Sequence, residues 1–249
     1  TMGTQTYWSW PILKEDPNNY GQILELSTKL ASFDNDNIRF SVDAGVIDRL
    51  GSELVARQET AVSELVKNAY DADATKVNII FESSDNIGGT LYIEDNGTGM
   101  TREQLINGFM RISSTSKIHN PLSDIYERKR SGQKGIGRFA VQRLGEKLTI
   151  TTQTSEIESA LVVTINWDDY SNDIDLLSVD NKICIKPNKT RECGTTLKIE
   201  FLKDKWSEAS IRRIYNYVGD ILQPFPLSKI DNNNNINEEG FIEDPGFKV

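Results

Sequence analysis

The sequence predicts an α+β fold in which helices pack on one face of a mixed sheet. Three observations lead to this prediction. Two strand-like runs, 77–81 and 91–93, follow a helical pattern and are separated by a turn-rich stretch, as in a hairpin. Further strand-like runs come later in the chain, at 148–152, 161–167, 183–185 and 196–201. Because helical patterns lie before, between and after these runs, the order is neither regular alternation of strand and helix nor strands alone.

The elements before the hairpin are a short strand and a helix. Residues 38–42 alternate apolar and polar side chains, which predicts the strand. Over 55–70, apolar residues recur at helical spacing and form one stripe, made of Val62, Leu65, Val66 and Ala69. This stripe is the face that we expect to be buried.

Three helices are predicted after the hairpin. Thr101 and Gln104 form a capping-box pattern at the start of a helix over 101–110. Residues 136–144 and 207–222 also have helical patterns, and the second of these ends before two prolines.

Length and composition indicate one main domain. A chain of 249 residues has room for one substantial core, and we expect the domain to span 38–228. The aromatic residues in the N-terminal segment, 1–37, either cover the core or belong to a dimer-exchange arm. Residues 229–249 are acidic and poor in apolar side chains, which predicts a linker or tail.

Charge and composition argue against several classes of protein. The formal net charge of −9 disfavours nucleic-acid binding by this domain alone, because such binding rests on Lys and Arg neutralising phosphates. No apolar run reaches the roughly 18 residues of a membrane span, and the start lacks a secretory signal, so we expect a cytoplasmic protein without membrane contact. Cys184 and Cys193 match neither a zinc site nor a disulfide framework, and His119 is the sole histidine.

Glu64, Asn68 and Asp71 are spaced by four and then three residues, which brings them to one face of the predicted helix. An amide oxygen such as that of Asn68 suits the oxygen shell of magnesium, and a glutamate can activate water. Asparagine is a mediocre helix former, so its mid-helix position favours a function. A solvated helix face is the alternative interpretation.

Two glycine-rich stretches follow. Asp95 stands where an apolar run enters a turn, and Gly97 and Gly99 permit backbone conformations that a side chain would forbid. An ordinary Asp-Asn-Gly turn would have the same pattern. Residues 132–137 (GQKGIG) run into a helix, where exposed amides and the helix dipole favour phosphate. They end the long irregular stretch 112–137, which has the length of a lid.

Taken together, these motifs resemble the GHKL superfamily of gyrase, ninety-kilodalton heat-shock chaperones, histidine kinases and MutL. The Glu64/Asn68/Asp71 box, the Asp95-x-Gly97-x-Gly99 box, the glycine lid and the late Gly194-Thr195 pair occur in the family's order. The resemblance implies a Bergerat ATP-binding fold, a two-layer α/β sandwich whose mixed sheet is mostly antiparallel.

The resemblance also implies roles for individual residues. Glu64 would be the general base for hydrolysis, Asn68 would bind Mg²⁺, and Asp95 would accept the adenine amino group of ATP. Thr195 would support the base through Asp95 or water, whereas the direct role of Asp71 stays open. The remaining nucleotide-binding residues implied are Gly97, Gly99, Met100, Lys117, Gly132, Lys134, Gly135, Ile136 and Gly137.

The Ser-Lys segment that contains Lys117 resembles that of the MutL and MORC branches. No histidine lies upstream of the ATP site, so histidine autokinase activity is not expected. We expect an Mg-dependent ATPase, weak as an isolated domain, whose lid closure drives dimerisation or coupling to C-terminal domains of a larger protein. The alternatives are a non-catalytic nucleotide-binding or scaffold module and a protein kinase acting in trans.

Overall fold

The computed structural model describes residues 19–32, 36, 40–54, 57–112, 120–130, 139–188, 191–222 and 244–249. The chain divides into two compact units. The smaller comprises Thr1–Ile47 and Asp168–Asn181, and the larger comprises Asp48–Trp167 and Lys182–Val249.

A six-stranded antiparallel sheet forms the frame of the larger unit. Its strands are β1 (Val77–Glu82), β2 (Thr90–Asp95), β3 (Gly145–Gln153), β4 (Ala160–Asn166), β5 (Ile183–Lys186) and β6 (Gly194–Leu202). They lie in the order β1-β2-β6-β3-β4-β5, and all five neighbouring pairs are antiparallel. The predicted α+β fold class, the hairpin and the four later strands are thereby confirmed.

The two faces of this sheet differ in polarity. Register aligns Leu91 and Leu148 on either side of Ile199, and all three side chains are fully buried. On the opposite face, Lys198 pairs with Glu200 at 2.8 Å between Nζ and Oε1. Side chains alternate between the faces of a strand, so only one face is apolar enough to carry helices.

Three helices of the larger unit supply that cover: α3 (Gln58–Asp71), α5 (Ala140–Leu144) and α6 (Glu208–Leu222). The predicted apolar stripe of α3 is buried in full, since Val62, Leu65, Val66 and Ala69 are at most 4% exposed. Burial of four apolar side chains on one stripe is the main driving force for placing α3 against the sheet.

The helix predicted over 101–110 begins with its capping box formed. Thr101 Oγ1 accepts from the Gln104 amide at 3.2 Å, and the Thr101 amide donates to Gln104 Oε1 at 2.8 Å. One α-helical turn, α4 (Arg102–Gln104), is followed by a π-helical turn, Leu105–Phe109. No described helix is both long and apolar enough to cross a lipid bilayer.

The smaller unit contains α1 (Tyr20–Ser32) and a 3-10 turn, Leu176–Ser178. A further helix, α2 (Val46–Leu54), follows in sequence. The strand predicted over 38–42 is wrong for residues 40–42, which have no strand structure, while 38 and 39 lie outside the described residues. Phe40 is fully exposed, so the alternation of apolar residues there does not correspond to a buried face.

Parts of the segments predicted as a lid over 112–137 and a tail over 229–249 make defined contacts within the described residues. Residues 120–130 are fixed by Asp73, whose carboxylate accepts from Ser123 Oγ and from the amides of Ile125 and Tyr126. Residues 244–249 pack on the same region: Phe247 meets the Tyr70 ring edge-on at 5.4 Å between centroids. The low average apolar content of these segments does not indicate such contacts, because only a few residues make them.

Candidate nucleotide site

The candidate site lies at one end of the sheet, where three strands and a helix converge. β2 ends at Asp95, β3 ends at Gln153, and β6 begins at Gly194, which is the register partner of Gln153. The turn after Asp95 reaches the end of α3, since the Thr98 amide donates to the Ala72 carbonyl at 2.9 Å. Residues distant in sequence are therefore brought together by strand pairing.

The Asp95 carboxylate is partly buried, and the protein satisfies one of its two oxygens. Its Oδ1 accepts from the Gly97 amide at 2.9 Å and from the Thr195 amide at 3.1 Å. Within the described part of the chain, Oδ2 accepts no hydrogen bond. Burial raises the pKa of Asp95, and the two amides and the Arg191 charge oppose that rise. This arrangement suits an acceptor for a donor group of a ligand.

Close backbone approach explains why the turn contains glycines. A Cβ on Gly97 would lie 2.5 Å from the Ala72 carbonyl oxygen. Gly99 has φ of +69° and a Cβ there would overlap the Gln153 carbonyl oxygen. Gly194, with φ of +120°, would in the same way overlap the Asp95 carbonyl oxygen. The peptide planes of β2, β3 and β6 can approach here only without side chains.

A pair of threonine hydroxyls lies beside this turn. Thr152 Oγ1 accepts from the Met100 amide at 2.8 Å and lies 3.1 Å from Thr195 Oγ1. Sequence reasoning found Met100 and Thr195 and missed Thr152. Thr152 is identified by the strand register, which places it directly opposite Thr195. This register cannot be inferred from the sequence of one strand.

Helix α3 places the other three predicted residues in different environments. Glu64 is partly buried, and its Oε1 accepts from Lys67 Nζ at 2.7 Å. Asn68 is also partly buried, whereas Asp71 is buried and its carbonyl accepts from Arg130 Nε at 3.4 Å. The Glu64–Lys67 ion pair was not foreseen, although its three-residue spacing is a helix-face spacing.

Lys117, Gly132, Lys134, Gly135, Ile136 and Gly137 lie outside the described residues. Among the residues that are described, no group of three or more His, Cys, Asp or Glu side chains could hold a metal ion.

Arg191 and Gln153 form a bracket behind the turn and were also missed. Arg191 donates from Nη1 to the Asp95 carbonyl at 3.1 Å and from Nη2 to Thr196 Oγ1 at 2.9 Å. Gln153, which is 1% exposed, donates from Nε2 to the Arg191 carbonyl at 2.8 Å. Arg191 lies only three residues before Gly194, and this proximity could have indicated in the sequence that Arg191 lies near the site.

A helix-covered antiparallel sheet with a partly buried acceptor at a glycine turn defines an α+β domain with a candidate ligand site. The chain belongs to the family of histidine kinase-, DNA gyrase B- and HSP90-like ATPases, whose family model matches residues 56–195, more than half of the chain. This confirms membership of the GHKL superfamily.

The chain is also similar in sequence to DNA mismatch repair protein MutL from several bacteria. It is 28% identical over 203 residues to MutL of Escherichia coli strain K12, of Shigella boydii serotype 18 and of Shigella sonnei strain Ss046. The aligned part covers 76% of this chain and 29% of each relative. The chain thus spans less than a third of the length of these relatives.

Proposed function

We propose that this chain is an ATP-binding, slowly ATP-hydrolysing domain that drives conformational change in a larger protein. The observation that carries the proposal is the Asp95 carboxylate, partly buried at a glycine turn with Oδ1 held by two amides. Its orientation is fixed by these amides, and Oδ2 stays available to a donor group of a ligand. The exocyclic amine of adenine is such a donor, and membership of an ATPase family supports this choice.

The residues present fit ATP and Mg²⁺ by their chemistry. Asp95 would accept from the adenine amine, and Thr195 would complete its support, because the Thr195 amide already orients Oδ1. Asn68 would offer an amide oxygen to Mg²⁺, which is compatible with a cation held mainly by phosphates and water. Mg²⁺ supplies charge neutralisation at the phosphates when bound.

Glu64 would act as the general base that orients and deprotonates the hydrolytic water. Its Oε1 is engaged by Lys67, so the ion pair must loosen or the free Oε2 must serve. An exposed or partly exposed ion pair of this kind contributes about 0.2–1 kcal/mol, which is small enough to rearrange on ligand binding.

Phosphate binding would fall to Lys117, to Gly132 and Lys134, and to the Gly135–Gly137 amides, which lie beyond the described residues. Closure of this lid would favour self-association or contact with further domains. The length of the MutL relatives, of which the aligned part is 29%, supports a role within a larger protein.

The first experiment compares Asp95→Asn and Glu64→Ala by calorimetric ATP titration and by phosphate release. Asp95→Asn turns one oxygen into a donor and should weaken ATP binding by about 10- to 100-fold, the worth of a charged hydrogen bond. Glu64→Ala should retain binding and lose about 100-fold or more in turnover. Exposed Asp85→Asn and Glu103→Ala are the matched controls. Unchanged affinity in Asp95→Asn would refute the adenine assignment.

The second candidate is a nucleotide-binding or scaffold module without catalysis, which the Glu64–Lys67 ion pair favours. This candidate would be selected if Glu64→Ala protein binds ATP as wild type does and also releases phosphate at the same rate as wild type.

A further inference from the structure

Arg191 joins the end of β2 to the start of β6 directly behind the proposed base site. One guanidinium nitrogen donates to the Asp95 carbonyl at 3.1 Å and another donates to Thr196 Oγ1 at 2.9 Å. The two acceptors belong to neighbouring antiparallel strands. A planar guanidinium can bridge them with fixed geometry, which an ammonium cannot do.

The position of Arg191 is itself determined from the other side. Gln153 is buried and donates from Nε2 to the Arg191 carbonyl at 2.8 Å, and the Gln153 carbonyl is the group that leaves no room for a side chain at Gly99. Arg191, Gln153 and the Asp95 turn therefore form one connected bracket, and movement of any one member would displace the carboxylate.

The charge of Arg191 also acts on the Asp95 carboxyl. Burial raises the pKa of Asp95, while the Gly97 amide, the Thr195 amide and Arg191 lower it. Arg191 is the charged side chain among these causes; no charged group of α3, β3 or β6 in the described residues contributes. Without it, the partly buried carboxyl would bind a proton more readily and would lose its role as an acceptor.

We propose that Arg191 is a positioning residue for nucleotide recognition, which holds Asp95 against β6 and orients its free oxygen toward the adenine amine. This inference rests on the proposed function. Arg191 makes no contact with the base in this scheme; it acts through Asp95. The expected consequence is a dependence of ATP affinity on pH that Arg191 controls.

The test measures ATP affinity by calorimetry from about pH 5 to about pH 8 for the wild type, Arg191→Met and Arg191→Lys. Protonation of Asp95 removes the acceptor, so affinity falls as pH decreases through its pKa. Arg191→Met should weaken binding about tenfold at neutral pH and move the midpoint of this loss to higher pH. Arg191→Lys retains the charge and should keep the wild-type midpoint with intermediate affinity.

Exposed Arg212→Met is the matched control and should behave as wild type. Thermal unfolding without nucleotide shows whether each variant is folded, and Arg191→Gln, which also removes the charge and should also move the midpoint to higher pH, carries the test if Arg191→Met is not folded. An Arg191→Met profile identical to wild type would overturn the inference. So would weaker binding of Arg191→Met with an unmoved midpoint, since that result describes a structural role only.

The failure of the proposed function has a different signature. If wild-type protein does not bind ATP, or if Asp95→Asn binds it as wild type does, the adenine site itself is refuted. If wild type binds ATP through Asp95 and Arg191→Met leaves the pH midpoint unmoved, only the role of Arg191 is refuted.

Discussion

Gly99 allows a direct prediction at the scale of one residue, because two separate costs meet there. Its φ of +69° disfavours a side chain, and a Cβ would also overlap the Gln153 carbonyl oxygen. Gly99→Ala should therefore lower the free energy of unfolding by about 2–4 kcal/mol, through strain and displacement of the β3 end. Urea denaturation measures this change.

Gly88→Ala is the matched control for this substitution. Gly88 has φ of +95°, yet a Cβ there would meet no atom within 4 Å. Gly88→Ala should lower the free energy of unfolding by about 1 kcal/mol, which is the cost of the conformational strain alone. If both variants lose the same free energy of unfolding, the overlap between a Cβ at Gly99 and the Gln153 carbonyl is relieved at little cost, and the prediction is wrong.

The residues of the candidate site differ in how far the sequence could reveal them. Asp95, Gly97 and Gly99 lie within five consecutive residues, so a local pattern contains their geometry. Thr152 accepts from the Met100 amide across 52 residues, and Arg191 donates to the Asp95 carbonyl across 96 residues, because strand pairing brings these segments together. Pairing between strands that are distant in sequence cannot be read from one strand's pattern.

At the scale of elements, the buried Arg128 fastens residues 244–249 to the end of α3. Its side chain is 1% exposed and bonds both carboxylate oxygens of Asp244, at 2.8 and 2.6 Å. It also donates to the Ala74 carbonyl at 2.5 Å. Asp244→Ala would leave a buried cation without its partner, so we expect a loss of about 3–5 kcal/mol in the free energy of unfolding.

This loss should depend on pH in a defined direction. Burial tends to raise the pKa of Asp244, but hydrogen bonds from Arg128 and the Gly246 amide and the Arg128 charge outweigh it, so the pKa lies below the usual aspartate range. The stability that Asp244 contributes is complete above the unfolded value and is lost as pH falls through the lower folded value. The difference in free energy of unfolding between wild type and Asp244→Ala should narrow below about pH 4. The exposed control Asp85→Ala should have the same free energy of unfolding as wild type at every pH.

Helices and strands with a clear period were predicted from the sequence, and contacts of charged residues were not. The α3 stripe follows a spacing of 3.6 residues, and β1 and β2 flank a turn-rich stretch that indicates a hairpin. Arg128 and Asp244 belong to stretches without period, so sequence patterns indicated only a lid and a tail. The buried charge of Arg128 depends on Asp244, which lies 116 residues away in sequence.

At the scale of the whole molecule, the charge of the chain affects each proposed partner differently. A net charge of −9 repels both a second copy and a nucleic acid. Salt screens this repulsion over a Debye length of about 10 Å at 0.1 M, so added salt should favour an encounter between two acidic protomers. Binding to nucleic acid through Lys and Arg would instead weaken with salt, because counterions are released.

The proposed ATP-dependent dimer can therefore be tested by its response to salt as well as by its response to nucleotide. Glu64→Ala protein should hold ATP without turning it over, and sedimentation velocity would measure its dimer fraction at about 50 mM and about 300 mM salt. We expect dimers only with ATP and Mg²⁺, and more of them at the higher salt. Asp95→Asn protein, which should bind the nucleotide more weakly by the factor given above, is the control and should stay largely monomeric at an ATP concentration that only just saturates Glu64→Ala. A single monomeric species for Glu64→Ala in every condition, despite saturating ATP, would contradict self-association and leave coupling to further domains as the outcome of lid closure.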